Sequence, residues 1–92
     1  MDTEQAEIIA LKALTFLAAN TELMDRFAAL SGMAPNDIVA RAGDGEMLAG
    51  VLDFLLSDEA VLTDFCTAHD IDLEHPAAAR QNLPGGALPH WT

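Results

Sequence analysis

The segment spanning residues 46–56 constrains this chain more than any other. Met47, Leu48, Val51, Leu52, Phe54, Leu55 and Leu56 occupy almost every side of a helix, leaving Glu46, Ala49, Gly50 and Asp53 as a narrow polar strip. A helix apolar on nearly all sides belongs at the centre of a bundle, where other elements cover it. The Gly43-Asp44-Gly45 link sets off its start, and Ser57 sets off its end.

The flanking sequence supplies helices to do the covering. Asp2 or Thr3 is a good N-cap for a first helix, with Gln5 three residues after Asp2. Ile8, Leu11, Leu14, Phe16 and Leu17 give that helix a broad apolar side running to about Ala19. Asn20 caps a second helix, whose stripe of Leu23, Met24, Phe27 and Leu30 ends at Gly32, a residue suited to the left-handed closing position. Pro35 opens a short third helix with Ile38 and Val39 facing inward, and Gly43 stops it. Ser57 is expected to cap a helix carrying Val61, Leu62, Phe65 and Cys66, with Asp58 and Glu59 in its first turn. Pro76 opens a last, alanine-rich turn or two ending near Leu83. Pro84-Gly85-Gly86 breaks it, and residues 87–92 read as a loose tail.

The expected fold is therefore all-α: one domain over residues 1–86, a compact bundle of five or six short helices. Leu17, Leu23, Phe27, Leu30, Leu48, Val51, Leu52, Leu55, Leu62 and Phe65 should dominate its core. Composition agrees, because apolar residues make up 51% of the chain, much of it alanine, and Tyr is absent. No apolar run approaches the ~20 residues that span a bilayer. The acidic start, Met1-Asp2-Thr3-Glu4, lacks the basic character of a signal peptide. Cys66 is the only cysteine, so no intrachain disulfide forms, which fits a reducing, cytoplasmic setting.

Charge narrows the function classes. The formal net charge is −11, and residues 44–74 hold Asp44, Glu46, Asp53, Asp58, Glu59, Asp64, Asp70, Asp72 and Glu74 with no Lys or Arg. Such a field repels phosphate backbones and anionic lipid surfaces, so neither nucleic acid nor membrane is an expected partner. The second and third helices have helix-turn-helix spacing at Ala28, Gly32, Met33 and Ile38, but only Asn36 and Arg41 would face a groove. An ordinary helical corner explains the same spacing.

Three further features invite chemistry. His69, Asp70, Asp72, Glu74 and His75 crowd together, yet match neither a one-face His pair nor an EF-hand loop. His69 also extends the stripe that runs through Val61, Leu62, Phe65 and Cys66, as a half-buried structural histidine would. Asp53 lies between Leu52 and Phe54 with no acid, base or nucleophile paired to it by spacing, which favours a structural role, as an ion-pair partner of Arg26 or Arg41 or as an exposed residue of the polar strip. Gly50 sits in mid-helix at a cost of up to ~1 kcal/mol relative to alanine, and with Ala49 it permits close approach of another helix, from a second copy or, as is favoured, from this chain. No catalytic triad, phosphate loop or dinucleotide fingerprint is present, and Cys66 reads as a buried, inert thiol.

The segments Phe16-Leu17-Ala18, Arg26-Phe27, Leu30-Ser31-Gly32 and Val51-Leu52-Asp53-Phe54-Leu55-Leu56 with Asp58-Glu59, and the closing Ala79-Arg80 and Leu83-Pro84-Gly85-Gly86, resemble a small bacterial family, domain of unknown function 3572. The resemblance runs from about Ala10 to Gly86 and is most specific over residues 51–59. It implies a short helical bacterial protein of the cytosol, and it carries over no reaction. Arg26 and Asp53 both match the family pattern, which suggests an ion pair between them. Ala34 departs from it, standing where a polar cap before Pro35 is expected, so the third helix starts weakly.

The leading functional expectation is a non-enzymatic interaction module whose acidic face, with Glu46, Asp53, Asp58, Glu59 and Asp64 as contacts, engages a basic protein partner. The alternative is a small metal-dependent or acid–base enzyme around His69, Asp72 and His75, or around Asp53. A third reading is self-association through Gly50, Phe54 and Leu56, giving a monomer or weak homodimer. No cofactor, metal or catalytic residue is expected under the leading reading.

Overall fold

Side-chain caps decide where most of the helices begin. In the computed structural model, which describes residues 1–83, Asp2 accepts the Gln5 amide at 2.8 Å and opens α1 (Thr3–Ala18). Asn20 accepts the Leu23 amide and opens α2 (Thr21–Ser31), which Gly32 closes at φ +73° in the left-handed region. Pro35 begins α3 (Pro35–Ala40), and its cap position, Ala34, makes no side-chain hydrogen bond. Asp44 caps α4 (Gly45–Leu56) through the Glu46 amide at 2.9 Å. Asp58 caps α5 (Glu59–His69), accepting from the Ala60 and Val61 amides. Pro76 lies in the first turn of α6 (His75–Gln81). The result is an all-α bundle of six helices with no strand among the described residues.

One cap differs from the sequence reading. Ser57, expected to open α5, instead finishes α4 by donating from its hydroxyl to the Phe54 carbonyl at 2.7 Å. The aspartate one residue on has two acceptor oxygens: Oδ1 takes both free amides of the new helix, and Oδ2 takes an arginine. A serine hydroxyl cannot hold all three.

The α4 helix is the most thoroughly buried, as its composition requires, and α1, which packs on α2, α4, α5 and α6, shares the middle of the bundle with it. Met47, Leu48, Ala49, Val51, Leu52, Phe54 and Leu55 are all buried, so Ala49 belongs to the core and not to the polar strip. Helices α1, α5 and α6 pack directly on α4, and α6 also packs along α1. The buried side of α1 consists of Ala6, Ile9, Ala10, Ala13, Leu14 and Leu17, with three alanines fully inaccessible. Those small residues let α1 and its neighbours approach closely, which is where much of the alanine content goes. Phe65 of α5 packs edge-on to Phe16, their ring centres 5.6 Å apart.

Several apolar residues expected inside lie outside. Ile8 and Leu11 are exposed, because they fall outside the sector of α1 that its buried alanines and leucines define. Val39 is exposed because the short α3 turns only Ile38 into the core. Leu62 is half-buried. Leu30 departs furthest: it is 77% exposed although it continues the stripe of Leu23 and Phe27. Among the described residues no helix covers the C-terminal end of that stripe, and a groove opens there instead. The 87–92 tail and the Pro84-Gly85-Gly86 stop lie outside the described residues.

Candidate functional site

The groove runs between the end of α2 and one face of α4. Phe27, Leu30 and Ser31 form one wall; Glu46, Met47, Gly50, Asp53, Phe54 and Ser57 form the other, with Arg41 at one end. The space along the groove is about 570 Å³ and opens broadly to solvent. On α4 the lining positions Glu46, Gly50, Asp53 and Ser57 recur at steps of four, three and four, so they form a single line along the helix. This is the narrow polar strip of the central helix, turned toward open space.

The floor is aromatic and firmly held. Phe27 and Phe54 meet edge-to-face with ring centres 5.5 Å apart, and both are almost wholly buried. The Arg26 guanidinium lies over the outer side of Phe54, 5.6 Å from the ring centre. Gly50 sits beside this pair. Among the described residues, a methyl group added there would meet only the Phe27 Cζ at 4.0 Å, an ordinary contact. The packing of the described residues therefore does not require glycine at this position.

Charges line the rim. Arg26 bonds the Asp58 carboxylate at 3.3 Å and Arg80 bonds Asp53 at 2.7 Å, in place of the Arg26–Asp53 pair suggested by the sequence. The exchange has a geometric cause: Asp58, at the start of α5, and Arg80, on α6, come from elements whose position relative to α4 only the fold determines. Arg41 bonds Asp44 and also approaches the Met33 sulfur. Glu46 is exposed and forms no ion pair among the described residues.

The caps have electrostatic consequences of their own. The Arg41 guanidinium, followed by the Glu46 amide, holds Asp44 below the usual aspartate value of 3.8. The Val61 amide, followed by Arg26, does the same for Asp58. Burial, with Asp72 as a lesser cause, pushes the Cys66 thiol up, which makes the thiolate scarcer.

The expected contact residues do not all come together. Glu46 and Asp53 line the groove, Asp58 is occupied as a cap and ion-pair partner, and Glu59 and Asp64 are exposed on α5 away from the lining. Phe54 is buried and Leu56 half-buried. The histidine cluster separates as well. His69 is half-buried against Phe65 and Phe16, while His75 lies 3.8 Å from Asp72 with both side chains largely exposed. Among the described residues no group of three or more His, Cys, Asp or Glu side chains converges to hold a metal ion. No histidine among the described residues lines the Asp53 groove; His75 borders a second space of about 500 Å³ with Met1, Gln5, Ile8, Ile9 and Ala78.

Sequence reasoning missed Phe27, Leu30, Ser31, Arg41, Met47 and Ser57 as lining residues, because apolar periodicity marks a face without saying whether anything covers it. Gly50 was the available signal.

The family model described as a protein of unknown function, DUF3572, matches residues 3–86, which takes in all six helices and every residue of the groove. The chain belongs to this family. No curated protein matches the chain, and no solved structure does. The family match confirms the resemblance read from the sequence and adds no activity to it. No helix among the described residues is long and apolar enough to cross a membrane.

Proposed function

We propose that this member of the family is a protein-interaction module whose α2–α4 groove receives apolar side chains of a basic partner protein. The observation that carries the reading is the combination at Gly50 and Leu30. A mid-helix glycine that the packing of the described residues does not require leaves the groove floor without a side chain at its middle, and a large leucine stands 77% exposed at its edge. Burying Leu30 and the space around it against a partner removes apolar surface from water at ~25 cal/mol per Å².

Charge supports a basic partner. The chain carries −11, and three of its four basic residues, Arg26, Arg41 and Arg80, are already bonded to its own carboxylates. Glu46 is thus the acidic group at the groove best placed to meet an incoming cation. The remaining acidic surface would steer approach and raise the association rate at low salt.

The test is a capture experiment from the host's lysate with three baits: the native protein, Glu46→Lys and Glu59→Lys. Both variants change the net charge equally, but only Glu46 lines the groove. A partner retained by Glu59→Lys and lost by Glu46→Lys would support a groove-centred site. Equal loss from both would reduce the interaction to diffuse charge, and no partner on any bait would remove the proposal.

A further inference from the structure

We infer that the groove's occupant is an amphipathic α-helix of about three turns, with apolar residues over Gly50 and a Lys or Arg against Glu46. The inference rests on the interaction reading above and names the kind of segment that fits.

Length is set by the α4 wall. Glu46, Gly50, Asp53 and Ser57 lie on one line, and eleven residues of rise give about 16 Å, or roughly three turns. Gly50 falls near the middle of that line. It offers the place where a second helix backbone could come closest, with Leu30 opposite to cover the occupant's apolar side.

Conformation follows from what the walls lack. Both walls are faces of helices whose backbone groups bond within the helix, so they offer no strand edge for an extended peptide to pair with. A segment pressed into this mostly apolar space has to satisfy its own backbone N–H and C=O groups, which a helix does. A polyproline segment is disfavoured for another reason. Such ligands dock on exposed aromatic ridges, whereas Phe27 and Phe54 are buried against each other and the chain has no tyrosine. The charge placement comes from Glu46, the exposed rim carboxylate without an ion pair among the described residues.

The experiment pans a display library of random peptides of roughly fifteen residues, enough for four turns, against the full chain. Enriched peptides are then labelled and titrated by fluorescence anisotropy against native protein, Glu46→Lys and Gly50→Phe. Thermal melts verify that both variants fold; Glu46 is exposed, so its variant keeps the test intact if Gly50→Phe fails to fold. The expected peptides carry apolar residues at helical spacing beside Lys or Arg and gain helical circular dichroism on binding. A central proline and Glu46→Lys should each weaken them by about tenfold or more, and Gly50→Phe should abolish binding.

Enriched peptides that depend on Gly50 but tolerate proline would overturn the helical occupant while leaving the groove reading standing. Helical peptides indifferent to Glu46→Lys would overturn the charge placement. Peptides that bind Gly50→Phe as well as native protein, or a library without enrichment, would overturn both readings.

Discussion

Gly50→Ala adds one methyl group to the floor of the groove, and the structure gives both its effect and its sign. A glycine in a helix interior is ~0.5–1 kcal/mol less stable than alanine, because the unfolded chain loses more freedom on folding. The new carbon would stand 4.0 Å from the Phe27 Cζ, so no strain offsets that gain. For 92 residues, an unfolding entropy of ~2.1 cal/mol/K per residue amounts to about 0.19 kcal/mol/K. The midpoint of thermal unfolding should therefore rise by about 3–5 °C, read by circular dichroism at 222 nm on native and variant proteins together. The same methyl should weaken binding of any groove occupant. A midpoint that stays level or falls would mean the fold itself needs glycine here, and the case for a groove floor left bare for a partner would collapse.

Other expectations follow from burial and charge. Phe65→Ala removes a fully buried ring that meets Phe16 and His69, and should cost ~3–5 kcal/mol in urea unfolding, a large part of the stability of so small a protein. Leu30→Ser should leave stability within ~0.5 kcal/mol, since the side chain is already in water, while reducing partner capture. Asp44 and Asp58 both titrate below 3.8 in the folded protein, so the unfolded chain binds protons first as pH falls. Their contribution is complete above the unfolded value and disappears as pH drops through the folded values. The urea midpoint should therefore fall on acidification below about 4, and Asp58→Asn, which keeps an acceptor for the cap, should flatten that fall; an unchanged slope would place the loss on other carboxylates.

Much of the fold was legible because its signals are local. Asp2, Asn20, Gly32 and Pro35 act on backbone groups within a few residues, and each performs the role its sequence position suggested. The deep burial of α4 followed from its composition, which no exposed helix would tolerate; that α1 shares the middle of the bundle did not. The ion pairs were less legible because Arg26, Asp53, Asp58 and Arg80 are long or exposed side chains, able to choose among several carboxylates. Their choice depends on where α5 and α6 come to rest, as the 27-residue separation of Asp53 and Arg80 shows. The groove was least legible. Phe27 and Leu30 belong to the same apolar stripe, and only the absence of a covering helix distinguishes a core residue from a rim residue.

The packing of α6 along both α1 and α4 also governs the order in which the molecule is completed. The first helix to be synthesised finds a principal neighbour only after five others have been made. Until Pro76 and Ala79 arrive, the alanine face of α1 has no lid on that side. Early segments emerging from a ribosome thus wait as a partly covered assembly with apolar surface showing, and closure comes late, through a contact between distant parts of the chain. Removing α6 would accordingly do more than shorten the protein, because it would hold the bundle at that unfinished stage.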